Sequence, residues 1–260
     1  MHDNNPKSVF AAKFPSIGRS SEASQDNAKA LQLVVQILST ALIALVTVIA
    51  SEWLARGTFA DIGDYITSTS RAGMVAVGII FLLLLFTDAI IGRVHQSAVF
   101  IVPLALLPAF FSGQKQLYLS DPLYPSDLLF GRQIMELLPV MVAAQPLTAL
   151  AIGAATIAAV AVLATLIYKS RRLFARISMR SRIGRLVVSL PILASFVTLM
   201  DPMAFSAFRD RLNIVPMMWD QKENYRHNGF LMAFAFNVPM ARISAPDGYS
   251  QPTITDIPSD

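Results

Sequence analysis

Apolar residues in this chain are bunched into long runs rather than spaced at a helical or strand period. A run of roughly 20 residues with few charges is long enough to cross a hydrocarbon core as a helix. Five such segments can be drawn, at residues 31–53, 73–92, 97–111, 147–168 and 186–200. The third and fifth are short and hold Pro103, Pro108 and Pro191, which predicts kinks or tilted ends. The expected fold is an all-α integral membrane protein, a bundle of five transmembrane helices with two outward-facing interfacial amphipathic helices.

The first interfacial helix is expected over about 127–142. Pro122 and Pro125 end any helix arriving from the third span. Ser126 then suits an N-cap, and Asp127 falls in the first turn, where a carboxylate favours the helix dipole. Phe130, Ile134, Leu137, Leu138 and Met141 follow helical spacing, with Arg132, Gln133 and Glu136 on the other face. The second interfacial helix runs from Asn228 to Met240, with Phe230, Leu231, Phe234, Ala235 and Val238 as its apolar face. In the fourth span Ala151, Ala155 and Ala159 recur every fourth position, a spacing that lets helices approach closely in lipid.

Composition agrees with the pattern: 54% hydrophobic residues, 15% charged and a mean hydropathy of +0.54 exclude an ordinary soluble domain. The net charge of +4 raises nucleic acid as a partner, but its distribution removes it. Lys169, Arg171, Arg172, Arg176, Arg180, Arg182 and Arg185 crowd the loop between the fourth and fifth spans, with no acid among them. A short basic loop between spans marks the cytoplasmic face. Lys7, Lys13, Arg19 and Lys29 in the N-terminal tail, and Arg93 in a turn, fall on that side. The N-terminus is therefore expected in the cytoplasm and the C-terminus outside. Residues 1–29 read as a disordered cytoplasmic tail, 30–200 as the membrane domain, 201–245 as an extracytoplasmic interfacial connector and 246–260 as a linker to a further domain.

Candidate chemistry is sparse. Without cysteine there is no disulfide and no thiolate nucleophile or metal ligand. His2, His95 and His227 lie far apart, no residues have metal-ligand spacing, and no glycine-rich phosphate loop appears. No catalytic residue, metal site or cofactor is expected within these residues. Asp88 is the exceptional ionisable residue within a span, and it sits near Arg93. A single such group argues against a pump or ion-coupled carrier. Lys115 and Arg132, with Glu136, are candidates for holding the phosphate of a lipid head group. The alternative is that they anchor the interfacial helix and pair with Asp127 or Glu136.

Three segments resemble the membrane domain of the lipoteichoic acid synthase and phosphoglycerol transferase family, sulfatase-like members of the alkaline phosphatase superfamily. They are Glu52 to Asp64; Lys115 to Leu129, with Pro122, Pro125 and Asp127; and Asn224 to Ser250, with Asn228, Gly229, Pro246, Gly248 and Tyr249. The resemblance implies transfer of glycerol phosphate from phosphatidylglycerol to an envelope glycan or lipid outside the bacterial cytoplasmic membrane. It also implies a divalent metal and a threonine nucleophile in an extracytoplasmic catalytic domain, none of whose residues can be placed here. The expected partners are membrane lipid, with phosphatidylglycerol as the candidate, and a catalytic ectodomain in cis or in trans. The alternatives are a non-catalytic scaffold or partner subunit in envelope glycan assembly and, below it, a small transporter.

Overall fold

The structure is a computed structural model that describes residues 17–67, 71–129, 174–199 and 206–241, with scattered positions between 143 and 169. The described elements are helices: α1 (Ile17–Arg56), α2 (Ile62–Thr67), α3 (Ala72–Ile91), α4 (Ala98–Leu119), α5 (Pro125–Leu129), α6 (Met179–Leu199), α7 (Ser206–Leu212) and α8 (Gln221–Asn237). A 3-10 turn, Pro239–Ala241, follows α8.

Three helices among the described residues are long and apolar enough to cross a membrane: Asn27–Arg56 within α1, together with α3 and α4. These correspond to the expected first, second and third spans; five spans are not shown among the described residues. The expected fifth span is present as α6, but that helix starts at Met179 and carries Arg180, Arg182 and Arg185 through its first turns. The expected fourth span, 147–168, falls largely outside the described residues. So do Arg132 and Glu136 in the expected 127–142 helix, and Pro246, Gly248 and Tyr249 in the expected linker.

Two other boundaries differ from expectation. Helix α1 begins at Ile17, inside the tail expected to lack structure. Helix α4 passes the expected end at 111 and reaches Leu119, where Ser120 turns left-handed (φ 54°) and donates its N–H to the Gln116 carbonyl. Neither Pro103 nor Pro108 ends it.

Residues up to Ser39 form one unit, the first part of α1, in which Leu31, Val35 and Leu38 are exposed apolar side chains. The second unit, from Thr40 onward, is organised around α3. Its 20 residues span about 30 Å at a rise of about 1.5 Å each, a hydrocarbon thickness. Ala72, Ala76, Ile80, Leu84 and Asp88 recur every fourth position on its buried face. Val48 of α1, Ala105 of α4, Phe196 of α6, and Met232 and Phe236 of α8 belong to the same core. Small residues set the close approaches: a side chain at Gly73 would lie 2.7 Å from the Tyr65 carbonyl oxygen, and one at Gly113 would strike the Leu54 carbonyl. Between spans such packing stands in for the exclusion of water as the source of cohesion.

The turn joining α3 to α4 explains Asp88. Gly92 adopts φ 80° and its N–H returns to the Asp88 carbonyl at 2.8 Å, a left-handed C-terminal cap. Arg182 of α6 donates Nε to the Ala89 carbonyl at 2.7 Å and Nη2 to that of Ile90 at 2.9 Å. A cation at the carbonyl end of a helix is stabilising. The Asp88 carboxylate accepts the backbone N–H groups of His95 (2.8 Å) and Ser97 (2.9 Å), and Arg185 stands 3.5 Å away. Arg93 turns elsewhere and donates to the Phe174 carbonyl at 3.0 Å. Asp88 thus holds a turn, and the basic residues of α6 hold the end of α3.

Candidate functional site

At the opposite end of α3, α8 brings the polar segments together. Asp220 caps α8 by accepting the Glu223 N–H at 3.0 Å. The helix starts there rather than at Asn228, because this cap precedes Gln221. It kinks at Gly229, whose φ 74° and ψ 169° belong to a region only glycine enters readily. The kink directs the Phe230 N–H to Glu52 Oε1 at 2.7 Å, and a Cβ on Gly229 would overlap the Tyr65 ring and lie 2.6 Å from that oxygen.

Glu52, fully buried at the end of α1, is the centre of this knot. Its Oε2 accepts Arg56 Nε at 2.9 Å, a helical i,i+4 ion pair. Arg56 also donates Nη2 to the Arg226 carbonyl at 3.0 Å, and its guanidinium lies 5.3 Å from the centre of the Tyr65 ring. The buried Tyr65 hydroxyl has no hydrogen-bond partner among the described residues. Burial first, then the Glu52 charge, push its pKa well above the ordinary tyrosine range, so it remains a protonated donor. Asn228, beside the kink, donates to the Val215 carbonyl and to Asn224 Oδ1, both at 2.8 Å.

Lys115 lies in a second cluster. Its ammonium group meets Asp127 at 2.8 Å, the Pro122 carbonyl at 3.0 Å and Asp121 at 3.1 Å, and sits 4.5 Å from the centre of the Tyr124 ring. Its three N–H donors are matched by three acceptors of the chain, which leaves none for a phosphate. Helix α5 starts at Pro125, so its cap is Tyr124 rather than Ser126. Proline at the first helical position lacks an N–H that would be unpaired there anyway. Asp127 reaches back to accept the Tyr124 N–H at 2.8 Å, and the Tyr124 hydroxyl donates to Asp121 at 2.6 Å. Burial and that Asp121 bond raise the Tyr124 pKa. The Tyr225 hydroxyl donates to the Leu123 carbonyl at 2.6 Å and so ties this cluster to α8.

Between knot and cluster lies a cavity of about 320 Å³. Buried Glu52, Tyr225 and Phe230 line it, while Asp61, Lys222 and Arg226 are exposed around it. Arg56 and Arg226 also line a neighbouring cavity of about 280 Å³ that includes Asp64, Tyr65 and His227. Arg226 is ion-paired with Glu223 at 2.7 Å, and this contact holds the Glu223 pKa below the ordinary carboxylate value. Among the described residues no three carboxylates or histidines are grouped to hold a metal ion.

The structure therefore joins Gly229 to Glu52, and Pro122 and Asp127 to Lys115. Glu52 and Arg56 belong to the Glu52 to Asp64 motif, which gives them no role, and Tyr65 lies just beyond it. An acid at the end of an apolar run, with arginine four residues on, was the available signal for the first two.

No family model matches the chain, and no solved structure matches it. A protein of Rhizobium meliloti (strain 1021), named for cyclic beta-1,2-glucan modification, is 48% identical to it over 221 residues, or 85% of this chain. The chain spans 35% of that relative's length. The resemblance to phosphoglycerol transferases rests on the quoted motifs alone.

Proposed function

We propose that this chain is the membrane-embedded part of an envelope glycan-modifying system, with a cyclic β-1,2-glucan as the acceptor. The observation that carries the reading is the 48% identity, across 85% of the chain, to the glucan-modification protein. Three helices of membrane-spanning length among the described residues support it. In the finer reading, drawn from the motif resemblance, the group transferred is glycerol phosphate from phosphatidylglycerol. A glucan hydroxyl oxygen forms the new bond to phosphorus, the bond from phosphorus to the diacylglycerol oxygen breaks, and diacylglycerol leaves with the proton. That is the net reaction; the metal, and a threonine that would take the glycerol phosphate from the lipid and pass it to the glucan, would belong to a catalytic domain joined in cis or supplied in trans.

The topology proposed with this function puts the arginines of α6 on the cytoplasmic face and the Glu52 knot on the outer face, in the bacterial cytoplasmic membrane. The role of the chain is to anchor the catalyst and position it at the outer leaflet. Deleting the gene and separating periplasmic glucans by anion exchange tests the reading. The expected result is loss of the anionic glucan fraction and of its phosphodiester signal in phosphorus NMR, both restored by the intact gene. An unchanged anionic fraction in the deletion strain would remove the proposal.

A further inference from the structure

The cavity between α1, α4 and α8 has features of a binding site rather than of a packing gap. Arg56, Lys222 and Arg226 bring three cations to it, against the carboxylates of Glu52 and Asp61. Arg56 and Glu52 neutralise each other, and Arg226 is matched by Glu223. Lys222 makes no hydrogen bond or ion pair among the described residues, and neither does the Gln116 side-chain amide. An unmatched ammonium group and an amide with both donor and acceptor capacity thus line one cavity, beside the Asp61 carboxylate.

Position and size narrow the occupant. Helices α1 and α4, whose ends form the cavity, are two of the three membrane-length helices among the described residues. Around those ends Trp53 and Phe59 stack at 5.3 Å with both rings exposed, and Leu117, Tyr118 and Leu119 are exposed as well. Aromatic and apolar side chains in that setting suit the boundary between headgroups and acyl chains. The volume of about 320 Å³ lies at the small end for ligand pockets. A small head group fits that volume, whereas a ring of many sugars does not.

We infer that this cavity receives the phosphate-bearing, hydroxylated head group of a membrane lipid. The phosphate faces Lys222 with Arg56 and Arg226 behind it, and the hydroxyl groups face Asp61 and Gln116. The inference rests on the reading of this chain as the membrane part of a lipid-consuming system, and it locates the donor lipid. It assigns the head group to these residues and leaves Lys115 to its own cluster.

Native mass spectrometry of the purified protein, titrated separately with phosphatidylglycerol, phosphatidylethanolamine and phosphatidylcholine, tests the site. Phosphatidylglycerol is expected to be retained preferentially, and the double variant Lys222→Gln/Arg226→Gln is expected to weaken its retention about tenfold. Both residues are exposed, so the variant should fold, and its melting temperature checks this. Glu223→Gln, which releases Arg226, is expected to strengthen retention. Equal retention of all three lipids, or unchanged retention in both variants, overturns the inference. Soluble glycerol phosphate bound without any lipid retention also overturns it, replacing the lipid by a free polyol phosphate. Failure here, with the anionic glucans still lost in the deletion strain, would strike the site and leave the proposed function standing.

Discussion

The Lys115 cluster and the neighbouring cavity use the same kinds of residue in opposite ways. Around Lys115, one cation meets two carboxylates and a carbonyl, and the nearby tyrosine hydroxyl is also satisfied. Around the cavity, Lys222 has no partner among the described residues, and about 320 Å³ stays open. Buried polar groups that satisfy one another hold a fold together. Polar groups left over beside a cavity can bind something else. The residue types alone do not separate these cases, since a lysine near acids and prolines reads the same until its hydrogen bonds are known.

The largest expected effect lies in the knot that closes one wall of the cavity. Gly229→Ala puts a methyl group into the Tyr65 ring and against Glu52 Oε1, at a φ of 74° that alanine resists. Strain and overpacking together should cost about 3 kcal/mol or more, read as a large fall in melting temperature in detergent. Adding Tyr65→Ala should recover part of that loss by removing the overlap. A Gly229→Ala protein that melts like the parent would mean that α8 does not dock on Glu52 in this way.

Next in size is Lys115→Met, which leaves Asp121 and Asp127 facing each other without a cation. These carboxylates are partly exposed, so the expected loss is about 1–2 kcal/mol rather than that of a fully buried pair. Lipid retention should not change. A drop in retention with stability intact would break the contrast between the two regions and return the head-group role to Lys115.

The sequence made the helical class and three long apolar helices legible, because length and hydropathy are local properties of the chain. The expected fourth span lies largely outside the described residues, and the fifth is helical as α6 with three arginines in its first turns. Those arginines read as a topological signal, and the structure shows two of them also holding the α3 terminus and Asp88. The Glu52 knot was illegible for a different reason. It joins residues 178 positions apart, and one-dimensional spacing carries no trace of the Gly229 kink that aims Phe230 N–H at Glu52. Asn228 and Gly229 are visible as motif positions, whereas the contact that joins their segment to Glu52 is not.

The smallest predicted effect extends the contrast to the other end of α3, where His95 sits in the turn held by Asp88. Its backbone N–H goes to Asp88, its Nδ1 lies 3.5 Å from the Thr40 hydroxyl, and its ring meets Phe174 edge-on at 6.3 Å. Burial lowers its pKa from the ordinary 6.5, with Asp88 pulling it up and Arg185 pushing it down. Between that lowered value and 6.5 the unfolded chain binds more protons than the folded one, so stability rises with pH there. The contribution is complete at neutral pH, falls as pH drops below 6.5, and levels off below the folded-state value. Melting temperatures measured across that window should therefore decline on acidification, and His95→Asn should flatten the decline. If acid instead raised the melting temperature through this window, Asp88 would have to outweigh burial at His95. This turn would then be a second place where polar capacity is left over rather than satisfied.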